Sequence, residues 1–112
     1  MKRIDELERE YVLDVLDGQF KTSQGAVYMT KFENAFSDKF KSKFSISHVN
    51  GTATMHSALE ASGVGYGDEV IVPPLTMSAT SLAVLQANAT PIFADIDIDT
   101  FVIDVKSIEE KI

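Results

Sequence analysis

Asn50-Gly51-Thr52-Ala53-Thr54 joins two segments of different periodicity. Before it, Phe44-Ser45-Ile46-Ser47-His48-Val49 alternates apolar and small polar residues, the pattern of a strand. After it, Met55-His56-Ser57-Ala58-Leu59-Glu60-Ala61-Ser62-Gly63 has helical spacing and a closing glycine. The stretch therefore predicts a strand that turns through Gly51 into a helix. The first backbone N–H groups of a helix have no intrahelical partner, and the helix dipole is positive at that end. Such a junction can hold a phosphate, with hydroxyls from Thr52 and Thr54 as further donors. A plain capped turn has the same local sequence, so the junction alone leaves both readings open.

Working outward, the same alternation of element types continues. On the N-terminal side, Ile4, Leu7, Tyr11, Val12, Val15 and Leu16 lie on one helical face, and Asp17-Gly18 stops the helix. Residues 19–24 read as a polar loop, and Gly25-Ala26-Val27-Tyr28-Met29 as extended or irregular. Thr30 with Glu33 three residues on predicts a capping box, followed by an aromatic core stripe of Phe32, Phe36 and Phe40. On the C-terminal side, Glu69-Val70-Ile71-Val72 reads as a buried second strand closed by Pro73-Pro74. Thr76 or Ser78 would cap the next helix, with Ala79, Leu82, Ala83 and Leu85 facing inward and Asn88 near its end. Pro91-Ile92-Phe93-Ala94 reads as a third strand, then an acidic run Asp95-Ile96-Asp97, then a last helix from about Ile103. Strands alternating with helices predict an α/β fold with right-handed crossovers and a parallel sheet. Ligands of such sheets bind beyond the carboxyl ends of the strands, where Asn50-Gly51-Thr52, Thr76-Met77-Ser78 and Asp95-Ile96-Asp97 all fall.

Composition narrows the function. The 112 residues suffice for one small domain. Seventeen acidic against ten basic residues, a formal charge of −7, argue against nucleic acid and against an anionic membrane surface. With no cysteine, disulfides, thiolate catalysis and cysteine-held zinc are excluded. No metal site is expected. The charged start Met1-Lys2-Arg3-Ile4-Asp5-Glu6 does not read as a signal peptide, and no run approaches the ~20 apolar residues of a membrane span. The expectation is a cytoplasmic protein.

Several short patterns occur in a fixed order: Phe32-Glu33 with Phe36; Asn50-Gly51-Thr52-Ala53; Gly63 to Ile71 leading into Pro73-Pro74-Leu75-Thr76-Met77-Ser78-Ala79-Thr80; Ala89 to Asp97; and Thr100-Phe101-Val102-Ile103-Asp104. Together they resemble the N-terminal part of the sugar aminotransferases of the DegT/DnrJ/StrS type, pyridoxal-phosphate enzymes of the aspartate aminotransferase fold (fold type I). The resemblance implies a three-layer α/β/α large domain, begun by residues 31–112, with residues 1–30 as an N-terminal helix and arm. It implies that Gly51 and Thr52 hold the cofactor phosphate, with Ala53 as a further amide. It implies that Met77 covers the pyridine ring between Thr76 and Ser78, which shape the pocket. The family usually has an aromatic residue at that position, so methionine is a departure: a polarizable thioether replaces a ring. Asp95 and Asp97 are expected to bond backbone amides rather than act in catalysis. In the family the first strand does not pair with the second or third, because later strands lie between them.

The implied activity is transfer of an amino group from glutamate or glutamine to a keto-sugar or keto-cyclitol, including nucleotide-linked sugars, by a homo-oligomeric enzyme of polysaccharide or lipopolysaccharide biosynthesis. That chemistry needs an anchoring Schiff-base lysine. None of Lys2, Lys21, Lys31, Lys39, Lys41, Lys43, Lys106 and Lys111 lies in a segment resembling the family's lysine motif. His48 and His56 read as packing residues. The chain is accordingly expected to be an inactive N-terminal portion of a longer enzyme. An alternative is a catalytically dead, aminotransferase-like interaction module. A Rossmann-type nucleotide domain is disfavoured, since no Gly-x-Gly-x-x-Gly follows the first strand and the Gly63, Gly65, Gly67 run precedes a strand instead.

Overall fold

The computed structural model describes residues 3–18 and 26–112. The loop expected over residues 19–24, and Gly25, lie outside the described residues. The chain forms two compact units, Met1–Ser47 and His48–Ile112.

The first unit carries helices α1 (Glu6–Asp17) and α2 (Val27–Phe40). Asp5 caps α1 through a capping box with Glu8, and the chain leaves the helix at Gly18 as expected. Helix α2 begins earlier than the sequence suggests. Val27-Tyr28-Met29, expected to be extended, is its first turn, and Ala26 stands at the cap without a side-chain bond. Thr30 is thus inside the helix, its N–H donating to the Ala26 carbonyl at 3.2 Å. Glu33 makes no capping box. Its Oε1 instead accepts from the Ser47 N–H and hydroxyl, both at 2.8 Å. These two bonds hold the carboxyl below the usual carboxylate range. Helical i+4 spacing runs unbroken from Tyr28 through Phe32 and Phe36 to Phe40, which explains the early start. The aromatic stripe stacks on itself, with Phe36 and Phe40 centroids 4.4 Å apart, yet no residue of α1 or α2 is buried.

The second unit carries α3 (Gly51–Ala61), β1 (Glu69–Val72), α4 (Ala79–Gln86), β2 (Thr90–Phe93) and α5 (Val105–Glu109). Strands β1 and β2 pair in parallel, Glu69 opposite Thr90 through Val72 opposite Phe93. Pro91 sits in β2, tolerated because the described sheet has two strands and its nitrogen needs no ladder partner. The segment read as the first strand, residues 44–49, pairs with neither β1 nor β2 among the described residues, as the resemblance implied, and the described sheet has two strands. Its alternating pattern specifies an extended chain, but a strand also needs a neighbour.

Helix α4 packs against α3 and against both strands. Val72, Val84 and Ala89 form the core, with Leu59, Val64 and Val70 packed on them. The inward face of α4 is Ala79, Ala83 and Val84, whereas Leu82 and Leu85 are about half exposed, against expectation. Small side chains at i and i+4 let the helix lie close to its neighbours. Helix α3 ends in a left-handed glycine, Gly63 at φ +83°, and the Val64 N–H returns to the Leu59 carbonyl at 3.0 Å. This closure is why glycine follows the helix.

Candidate functional site

The first turn of α3 is built by Asn50. Its backbone is extended, and its Oδ1 accepts the Ala53 N–H at 2.9 Å. Its carbonyl accepts both the N–H and the hydroxyl of Thr54, each at 3.1 Å. Of the donors anticipated at this turn, the Ala53 amide and the Thr54 hydroxyl are therefore engaged by Asn50. The N–H groups of Gly51 and Thr52 have no partner among the described residues. They are the two orphan donors at the positive end of the helix. A Cβ built on Gly51 would meet nothing within 4 Å, so the turn is open on that side. The residue that sequence reasoning passed over is Asn50. Its signal was available, since asparagine immediately before a helical run is a strong N-cap.

Thr76, Met77 and Ser78 connect β1 to α4. Ser78 occupies the cap position but its hydroxyl makes no capping bond, and Thr76 instead pairs with Thr80, hydroxyl to hydroxyl at 3.2 Å. The Met77 side chain is 75% exposed, and its carbonyl accepts the Thr80 N–H at 3.1 Å. Because β1 and β2 are parallel and in register, this connection shares the carboxyl edge of the sheet with the segment after β2. An open depression at that edge is lined by Pro74, Phe93, Asp95, Asp104, Ser107 and Lys111. Asp95 at that edge and Asp97 beyond it serve the backbone. The Asp95 Oδ1 accepts the Ile96 N–H at 2.8 Å. The Asp97 Oδ1 accepts the N–H groups of Asp99 and Thr100 and the Thr100 hydroxyl. The Thr100 bonds, foremost, keep the Asp97 carboxyl below its ordinary range.

His56 lies one turn into α3, its Nε2 3.2 Å from Glu60 Oε1. The approach lacks hydrogen-bond geometry, so the contact is an ion pair only when the ring is protonated. Among the described residues no helix is long and apolar enough to cross a membrane.

The sequence model of the DegT/DnrJ/EryC1/StrS aminotransferase family matches residues 2–112. The chain belongs to this family. It is 44% identical over 105 residues to the GDP-perosamine synthase of Escherichia coli O157:H7, covering 94% of the chain and 29% of that protein. The family fold is equally clear in solved structures. An aminotransferase from Psychrobacter cryohalolentis superposes with a TM-score of 0.84 at 34% identity, over 96% of this chain and 27% of that one. An E. coli GDP-4-keto-6-deoxy-D-mannose-3-dehydratase with bound hydrated PLP superposes with a TM-score of 0.82 at 29% identity, over 100% of this chain and 30% of that one. The chain thus has the α/β fold of these enzymes, and it spans less than a third of the length of each.

Proposed function

We propose that this chain is the phosphate-gripping part of a pyridoxal-phosphate-dependent sugar aminotransferase. The observation that carries the reading is the pair of unpartnered amides, Gly51 and Thr52, at the head of α3 in a chain of this family. Two successive N–H groups, the helix dipole and the Thr52 hydroxyl suit the dianionic tail of pyridoxal phosphate. Asn50 keeps the Ala53 amide out of the ligand's reach, so Ala53 acts by being small and leaving room. Met77 lies over the pyridine ring, and Thr76 and Ser78 bound the pocket with hydroxyls. When bound, the cofactor supplies the electron sink that amino transfer needs. The chain's own residues bind and orient it.

The whole enzyme moves an amino group from an amino acid, glutamate or glutamine, to a keto-sugar or keto-cyclitol. The amine that anchors the cofactor is supplied from outside these 112 residues, and the isolated chain is inactive. The second reading, an interaction module without catalysis, draws on the first unit. There Leu7, Tyr11, Leu16, Phe32, Phe36 and Phe40 are all exposed, apolar side chains that suit a protein partner or a further copy.

Fluorescence titration of the purified chain separates the two. Pyridoxamine 5′-phosphate, which has no aldehyde to react with surface lysines, is expected to bind, and unphosphorylated pyridoxamine to bind far more weakly. Equal affinity for both, or none for either, would refute the phosphate grip and leave the interaction module.

A further inference from the structure

We propose that Met77 is an oxidation site, and that its conversion to the sulfoxide loosens the hold on the cofactor ring. The first half stands on exposure and chemistry alone. The second half rests on the placement of Met77 over the ring proposed above.

A thioether is oxidised where an oxidant can reach sulfur. Met77 is 75% exposed, against 46% for Met29, while Met55 is half-buried on α3. Met1 lies outside the described residues. Met77 also sits in the connection between β1 and α4, not inside a helix or strand, so the added oxygen meets no helical backbone of its own turn. With a peroxide as oxidant the step balances. The sulfur lone pair attacks one peroxide oxygen, the O–O bond breaks, an S–O bond forms, and water leaves. Sulfur is oxidised, and the peroxide is reduced.

The consequence follows from what a thioether offers a ring. Sulfur against an aromatic face is a polarizable, apolar contact, whereas a sulfoxide is polar and strongly hydrated. An aromatic residue at this position would keep its stacking under peroxide. Methionine makes the pocket responsive to oxidant and restorable by sulfoxide reduction.

The test uses the 112-residue chain. It is exposed to hydrogen peroxide, sampled over time, digested and read by mass spectrometry at Met29, Met55 and Met77. Sulfoxide is expected first at Met77. In parallel, pyridoxamine 5′-phosphate and inorganic phosphate are titrated before and after oxidation. Affinity for the former is expected to fall between about twofold and tenfold, the worth of a sulfur–ring contact. Affinity for inorganic phosphate, which does not reach the ring, should be unchanged. A Met77→Leu variant, which lacks the sulfur, should bind pyridoxamine 5′-phosphate more weakly than the parent before treatment, and its affinity should not change further with peroxide. Oxidation of Met29 or Met55 at the rate of Met77 would overturn the assignment of the site. Unchanged pyridoxamine phosphate affinity with Met77 fully oxidised would overturn its effect. Failure of untreated chain to bind pyridoxamine phosphate would instead overturn the cofactor placement, and the effect on the ring with it, while the oxidation rates are read regardless.

Discussion

Replacing Gly51 by proline removes one donor from the proposed phosphate grip and leaves the helix standing. Gly51 is the first residue of α3, a position where its N–H has no intrahelical role and where proline is favoured. The residue before a proline must be extended, and Asn50 already is, at φ −164° and ψ 172°. The space around the Gly51 Cβ position is empty to 4 Å, so the added Cβ meets no clash. Stability should therefore hold or rise, since a compatible proline restricts the unfolded chain by about 0.4–1 kcal/mol. Binding should not hold. A hydrogen bond to a charged group is worth about 1.5–3 kcal/mol, so losing one amide should weaken pyridoxamine phosphate binding roughly 10- to 150-fold. Urea melts and fluorescence titration on the same samples separate the two quantities. Gly51→Ala is the control: it keeps the N–H and adds only a methyl group. An unweakened Gly51→Pro variant would show that the α3 amides do not touch the phosphate, and the cofactor reading would fall at its base.

Four further outcomes are expected. Asn50→Ala should cost about 1 kcal/mol by urea titration, as the Ala53 N–H loses its cap acceptor. Val84→Ala, in the core at 2% exposure, should cost about 1.5–3 kcal/mol by the same measurement, whereas exposed Leu85→Ala should cost far less. Glu33 has a folded-state pKa lowered by the Ser47 bonds, so its contribution is full above the unfolded value near 4.5 and fades as pH falls through the folded value. Stability of Glu33→Gln should accordingly change less between neutral pH and pH 4 than that of the parent, and parallel slopes would exclude the Ser47 bonds as the cause. Tyr28 donates to Asp14 Oδ2 at 2.6 Å, and that bond, before burial and the Asp14 charge, pushes its phenol up to about 12. Its contribution is present below the ordinary value near 10 and is lost as pH rises toward 12. Absorbance titration at alkaline pH should show one tyrosine ionising late, and Asp14→Asn should bring it back among the others.

What the sequence disclosed was whatever is decided locally. Helix α1 was readable because its apolar face and Gly18 act within a few residues of one another, although the Asp5–Glu8 capping box that starts it went unread. The crossover from β1 through α4 to β2 was readable for the same reason: short apolar runs, a proline pair after Val72 and Asn88 in the left-handed region at φ 59° bound each piece. The start of α2 misled because two local signals competed. The Thr30 and Glu33 spacing suits a capping box, but Glu33 reaches a longer-range partner in Ser47, and apolar i+4 periodicity from Tyr28 carries the helix back into its first turn. The inward face of α4 misled because hydrophobicity was taken as a proxy for burial. The close approach of α3 and two strands instead selects Ala79 and Ala83, and leaves Leu82 and Leu85 outside.

The same distinction separates the two halves of the candidate site. The head of α3 is self-sufficient: Asn50 sets the turn, occupies one amide and leaves two, all within four residues. Its chemistry could be written down from Asn50-Gly51-Thr52 alone, apart from which amide the cap consumes. The segment leading into it is not self-sufficient. Residues 44–49 alternate as a strand should, with Phe44, Ile46 and Val49 exposed, but a ladder is a relation between two segments and none of the described residues supplies the second. Met77 is in the same position from the other side. The Thr76 hydroxyl before it and its own carbonyl are held by Thr80, while Met77 itself stays 75% exposed. Residues whose geometry is fixed by near neighbours, but whose apolar surface is left uncovered, are built to meet something else. For Met77 the proposed partner is the aromatic face of the cofactor, and oxidising that one sulfur is the sharpest probe of that proposal.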